Sequence, residues 1–152
     1  DRNLIPAWVG EKLTPVDKLE VHKRGLRHKA VSVFVMAGNK TLIQQRALTK
    51  YHTPGLWANT CCTHPLWEES ADDCVVRRIK EELGVTGLKP VHKGRVEYRA
   101  EVGDDMIEHE VVDIYLADAD ETLPVTCNPD EVNAVKWIDL DDLSKEAETY
   151  PD

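Results

Sequence analysis

The run Lys29-Ala30-Val31-Ser32-Val33-Phe34-Val35-Met36 constrains the fold of this chain more than any other segment. It is β-branched and nearly continuously apolar, the pattern of a central strand covered on both faces rather than one with a solvated side. Ala37-Gly38-Asn39-Lys40 turns the chain into Thr41–Gln45 and completes a hairpin. Downstream, Ser70 and Asp73 mark a helix cap. Val75, Val76, Ile79 and Leu83 then recur at helical spacing, and Gly84 closes the helix. From Arg95 to Val102 the residues alternate, with Val96, Tyr98, Ala100 and Val102 on one face, so that Tyr98 points inward. Gly103-Asp104-Asp105 returns the chain through a second strand, Met106–Leu116, paired as a hairpin. Asn133–Ile138 reads as a further strand and Asp139–Glu148 as a short acidic helix. Residues 1–17, with Leu4, Ile5, Trp8 and Val9, read as one short strand or an arm. These elements describe an α/β domain with a mixed sheet covered by helices.

The whole of 1–152 fits one compact domain. A net charge of -9 argues against nucleic-acid or anionic-membrane partners, which call for a broad basic face. No apolar run approaches the roughly 18 residues of a membrane span, and the N-terminus lacks a signal pattern, so the chain reads as cytoplasmic. Its four cysteines include the adjacent Cys61 and Cys62, with Cys74 in the helical pattern, which suits reduced thiols rather than a disulfide framework.

Three features carry chemistry. Arg46–Leu66 is a long irregular stretch holding Trp57, Cys61, Cys62 and His64, and long loops inside small domains are commonly functional. Glu108 and Glu110, two apart on a strand, share a face with Val112, Ile114 and Leu116. Carboxylates there are either solvated at the strand end or neutralised by a cation. His22, His28 and His64 supply imidazoles, which with carboxylates suit zinc, manganese or iron. His52, His92 and His109 read as ordinary surface residues. The third feature is the charged helix, with Glu69 ahead of Arg77-Arg78-Ile79-Lys80-Glu81-Glu82-Leu83-Gly84-Val85. Pairs such as Arg77 with Glu81 and Arg78 with Glu82 would also make a solvated, ion-paired face of it.

This helix resembles the box of the Nudix superfamily at Glu69, Arg77, Ile79, Glu81, Glu82, Gly84 and Val85. It departs at Thr63, where the box has glycine, and at Arg78, where it has a carboxylate. With Gln45–Lys50, Pro54–Trp57, the run Asn59-Thr60-Cys61-Cys62-Thr63-His64-Pro65 and Glu108-His109-Glu110-Val111, the resemblance narrows to type I isopentenyl-diphosphate isomerases and spans roughly Asp17 to Leu143.

The resemblance implies a Nudix-like mixed β-sheet with helices on both faces. It implies interconversion of isopentenyl and dimethylallyl diphosphate, with Cys62 and Glu110 as catalytic groups assisted by Tyr98. His22, His28, His64, Glu108 and Glu110 would hold one Mn2+ or Zn2+, and Glu82 a Mg2+ arriving with the diphosphate. Lys18, Arg46, Lys50 and Arg78 would contact the phosphates. Cys61 is given a packing role. The family's C-terminal, tryptophan-bearing segment is expected to be absent or shortened. A Nudix hydrolase of nucleoside or other diphosphates is the alternative, and Arg78, a cation in place of a carboxylate ligand, speaks against it.

Overall fold

Valine-rich β3 (Arg27–Ala37) is the axis of the sheet, and every part of the candidate site is placed by what pairs with it. The structure, a computed structural model, describes residues 4–48, 55–101 and 107–141. On one side β3 pairs parallel with β8 (Ile107–Asp118), which pairs antiparallel with β7 (Val91–Glu101). At its other end β3 turns through Gly38, at φ 60°, into β4 (Lys40–Arg46), and that hairpin pairs at only two positions. β4 then diverges to pair with β5 (Trp57–Ala58) and β9 (Val132–Asp139), and β6 (Cys61–Thr63) takes over the vacated stretch of β3 at Val31–Val33. All pairings except β3 with β8 are antiparallel, so the sheet is mixed.

The segment expected as a single strand or an arm is a hairpin, β1 (Leu4–Val9) and β2 (Lys12–Asp17), joined to the sheet through Ala7 opposite His28. Ile5, Ala7 and Val16 pack there against Val21 of α1 (Lys18–Arg24). Sequence periodicity does not reveal α1, because seven residues with one buried apolar side chain carry no repeat. What starts it is local: Asp17 Oδ1 accepts from the amides of Leu19 (3.1 Å) and Glu20 (3.3 Å).

On the opposite face lies α2 (Ala71–Leu83), capped by Ser70, whose hydroxyl accepts from the Asp73 amide at 3.1 Å. Cys74, Val75, Ile79 and Leu83 bury against Val31, Val33, Val35, Tyr115 and Ala117. Val76 does not join them; it is 58% exposed, one position off the stripe that meets the sheet. Gly84 ends the helix at φ 64°, where a Cβ would stand 3.0 Å from the Thr126 carbonyl oxygen, so a side chain is excluded twice over. Helices thus cover both faces, as expected of this sheet. The proposed acidic helix lies largely outside the described residues. No helix among the described residues is long and apolar enough to cross a membrane.

The entry of the chain into α2 is held by Arg77, which donates to Glu69 through Nε (2.7 Å) and Nη2 (2.8 Å) and to Glu81 through Nη1 (2.8 Å). Glu69 in turn accepts from the Leu66 amide at 3.0 Å, which ties down the stretch just after His64. Arg77→Ala is expected to lower the unfolding free energy by about 2 kcal/mol, the range for charge-assisted bonds. The bonds from Arg77 hold the Glu69 carboxyl below its ordinary value. Its stabilisation is therefore full above the unfolded pKa, about 4.3, and is lost as pH falls through the lower folded value. Urea unfolding at several pH values should show the gap between variant and parent narrowing below about pH 4.

Candidate functional site

Strand pairing alone assembles the centre of the site. Ala7, His28, Glu110 and Tyr98 are successive cross-strand partners on β1, β3, β8 and β7, so all four side chains emerge on the same face in one row. Cys62 on β6 is opposite Ser32, four residues further along β3 on that same face, and His64 follows two residues after Cys62. Cys62 therefore sits on a short strand rather than in an irregular loop, and its side chain and that of His64 are about 7 Å apart along one face. His22 arrives from above, on α1.

His28 is fully buried, and its Nδ1 is 2.9 Å from the Leu26 carbonyl oxygen. A carbonyl only accepts, so Nδ1 carries the proton and Nε2 presents a lone pair. His22 is fixed the same way, Nδ1 lying 2.8 Å from the Lys18 carbonyl oxygen. Around this centre His28 Nε2 is 3.2 Å from His64 Nε2 and 3.3 Å from Glu110 Oε2, while His64 Nε2 is 2.9 Å from Glu110 Oε2. One ligand atom each from His22, His28 and His64 falls within 4.8 Å of the others.

Converging lone pairs repel unless a proton or a metal ion lies between them. Donors bound to a metal at about 2.0–2.1 Å in a tetrahedron stand about 3.3 Å apart, so His28, His64 and Glu110 are spaced as ligands, with His22 beside them and backbone carbonyls holding the outer nitrogens of His28 and His22. Burial pushes the His64 imidazole down to about 4, Glu110 opposing, so it is neutral and able to coordinate at ordinary pH. Burial alone would raise the Glu110 carboxyl, but its close contacts with the His28 and His64 rings, and the hydrogen bond from the Tyr98 hydroxyl, outweigh it and hold the group well below the usual carboxylate range.

Tyr98 is less enclosed than the alternation suggested, at 43% exposure, because among the described residues β7 pairs with β8 alone. Its hydroxyl nevertheless donates to Glu110 Oε1, the oxygen not aimed at the imidazoles. His109 faces away and bonds Glu97 at 3.0 Å, and His92 bonds Asp113 at 2.9 Å, both as ordinary residues do. Lys18 heads α1 close enough to act electrostatically on His64. Arg46 ends β4, with its backbone pinned to Leu56 and Gly55. Lys50, His52 and the side chain of Glu108 lie outside the described residues.

Cys62 is surface-accessible and its thiol donates to Asn59 Oδ1 at 2.7 Å. The protein packed around the sulfur pushes the thiol up to about 11, with the Ser32 bond opposing and Glu110 adding to the shift, so it is protonated at neutral pH. Its neighbour Cys61 points to the other face, into the core, and donates to Glu82 Oε2 at 3.2 Å. Beyond packing, Cys61 thus donates to that carboxylate alongside Gln44 Nε2 (3.1 Å to Oε1) and Arg78 Nη2 (3.1 Å to Oε2). Arg78 also meets Glu81 at 2.9 Å and Glu131 at 3.4 Å. The ion pairs expected of a merely charged helix face therefore do form, but they are largely buried around Glu82, which is 4% exposed. All four cysteines are free.

Asn59, Ser32 and Gln44 were not assigned roles from sequence, yet each bonds a site residue. The trace left in the sequence is Ser32, the one hydroxyl within the apolar run of β3.

The NUDIX domain family matches residues 26–152. The isopentenyl-diphosphate Delta-isomerase of Dinoroseobacter shibae is 63% identical over 99% of this chain and 86% of its own length; that of Rhodobacter capsulatus is 56% identical over 98% and 85%. Among solved structures, a Deinococcus radiodurans protein superposes with a TM-score of 0.75 at 13% identity, covering 96% of this chain and 88% of that one. The MutT NUDIX hydrolase of Burkholderia pseudomallei gives 0.62 at 24% identity over 76% and 84%. Those two likenesses speak for the fold, whereas the likenesses to the isomerases run over nearly the whole chain at more than half identity, and by them the chain belongs to the isopentenyl-diphosphate Delta-isomerase family of NUDIX-domain proteins.

Proposed function

We propose that this chain interconverts isopentenyl and dimethylallyl diphosphate by adding a proton to one side of the allylic system and removing one from the other. The observation that carries this reading is the single sheet face on which a protonated thiol, Cys62, and an ionised carboxylate, Glu110, stand at different positions along β3 and β8. An unactivated alkene needs an acid and a base held at the same time on opposite sides of it. The intermediate has tertiary carbocation character, which water would capture, so the reacting carbons must be shielded while anionic and π groups lie near.

Tyr98 steadies the Glu110 oxygen turned away from the imidazoles and is placed to pass a proton to or from it. His22, His28, His64 and Glu110, joined by Glu108, would hold one Mn2+ or Zn2+, which when bound fixes and tunes the carboxylate. Glu82 would meet a Mg2+ accompanying the diphosphate, in the place where Arg78 now neutralises it. Arg78, released toward the phosphate oxygens with Lys18, Arg46 and Lys50, would grip the diphosphate in bidentate fashion. Such binding remote from the reacting carbon lets an acidic protein hold an anionic substrate and direct that energy to catalysis. The substrate is a small molecule, with neither nucleic acid nor membrane as partner, and the protein works in the cytoplasm.

Hydrolysis of a diphosphate, the other chemistry of the superfamily, is disfavoured by Arg78, which occupies both neighbouring carboxylates, Glu81 and Glu82. Incubation with isopentenyl diphosphate and magnesium in heavy water, followed by proton and phosphorus NMR, tests the proposal. Dimethylallyl diphosphate carrying deuterium is the expected product, with both phosphates retained. Unchanged substrate in the metal-loaded protein, or release of inorganic phosphate, would sink it.

A further inference from the structure

The sulfur of Cys62 is oriented by a device separate from the histidine cluster. Asn59 Nδ2 lies 2.6 Å from Ser32 Oγ, 3.0 Å from the Val33 carbonyl oxygen and 3.2 Å from the Cys61 carbonyl oxygen. Carbonyl oxygens only accept, so they fix which end of the carboxamide is the NH2 group and leave Oδ1 to face Cys62. Cys62 Sγ donates to that Oδ1 at 2.7 Å, and Ser32 Oγ stands 3.7 Å from Sγ. With its oxygen receiving the Asn59 N–H, the Ser32 hydroxyl has its own proton to offer the sulfur. Asn59 to Ser32, Ser32 to Cys62 and Cys62 to Asn59 form a closed ring of hydrogen bonds. The ring has one direction, since an amide nitrogen does not accept.

We propose that Asn59 is a positioning residue: anchored on β3, its carboxamide sets where the Cys62 thiol points on the site face, with Ser32 closing the ring. The anchoring is what makes this effective. Ser32 and Val33 belong to the central strand, and Ser32 is the cross-strand partner of Cys62, so the sulfur is referenced to the same rigid element that carries His28. A reacting group displaced by about 1 Å can lose on the order of a hundred-fold in rate. A single well-anchored carboxamide can therefore matter to turnover without touching the substrate. The inference rests on the reading of Cys62 as a group that handles a substrate proton.

The test joins a vibrational readout to kinetics. Subtracting the infrared spectrum of Cys62→Ala from that of the parent protein isolates the S–H stretch of Cys62. In Asn59→Ala this band should move to higher frequency as the thiol loses its acceptor. In Ser32→Ala it should move less, because the carbonyls of Val33 and Cys61 still hold Asn59. kcat for isopentenyl diphosphate should fall about 10- to 100-fold in Asn59→Ala, with KM changed less than about three-fold and metal content equal to the parent. Combined with Cys62→Ala, the second substitution should cost nothing further. An unmoved S–H band, or an equal kcat loss in the Cys62→Ala background, overturns the proposal. Should Asn59→Ala fail to fold, Ser32→Ala alone must still shift the band, and no shift there overturns it too. If the parent protein gives no isomerase turnover, the functional reading falls while the band shift still registers. If it turns over and Asn59→Ala matches it, the positioning role falls.

Discussion

Cys62→Ala is expected to lower kcat by about a thousand-fold, within the range that a positioned acid or base contributes, and to leave the protein folded with its metal and its affinity for the diphosphate intact. The reason is geometric. Cys62 projects from the three-residue strand β6 onto the site face and contributes nothing to the buried core, which its neighbour Cys61 fills instead. Its loss removes a proton-transfer group and no ligand of the histidine cluster. Steady-state kinetics, with metal analysis and calorimetric titration of inorganic diphosphate, would separate the two. Parent-like turnover in the variant would remove the thiol from the mechanism.

Glu110→Gln should have the opposite signature, losing the metal together with the activity. Among the described residues its carboxylate is the one that meets both His28 Nε2 and His64 Nε2, and an amide there replaces an anionic donor with a neutral one. The three imidazoles, with Glu108 as the one remaining carboxylate, then compete less well with a chelator. Metal analysis after dialysis against a mild chelator should find the parent occupied and the variant depleted, with kcat down by about a thousand-fold or more even when metal is restored, because the base is missing as well. A variant that keeps its metal and turns over normally would detach Glu110 from both roles. Together the pair distinguishes a residue that handles protons alone from one that also builds the site.

How these residues meet was legible only in part. The continuous apolar character of β3, the capped helix ending at Gly84 and the hairpin of β7 with β8 follow from periodicity and turn chemistry, which act over a few residues. The hairpin β1 with β2 and the helix α1 do not. Their apolar content is too sparse to reveal a period, and they are stabilised by packing of Ile5, Ala7, Val16 and Val21 on one another. Val76 shows the limit from the other side, since an apolar residue at nearly the right spacing ends up in solvent once the helix settles on the sheet. Tyr98 shows it again. Alternation gave the correct face, but exposure depends on whether another strand lies beyond β7, and within one residue's neighbours nothing says so.

For the site, sequence supplied the residue types and, through the family resemblance, their roles. Cys62, His64, Glu110 and the modified helix around Arg78 could be named because their spacing along the chain is distinctive. The sequence by itself determined the central strand, the β7–β8 hairpin, the principal helix and the chemical repertoire, since those depend on local order and on side-chain chemistry. The tertiary structure decided what the repertoire does. Register places Ala7, His28, Glu110 and Tyr98 in one row, a carbonyl from residue 26 sets the tautomer of His28, and Glu82 is wrapped by Cys61, Gln44 and Arg78 from three separate elements. Hydrogen bonds and ion pairs depend on distances and directions in space, and a chain brings such groups together only after its strands have chosen their partners.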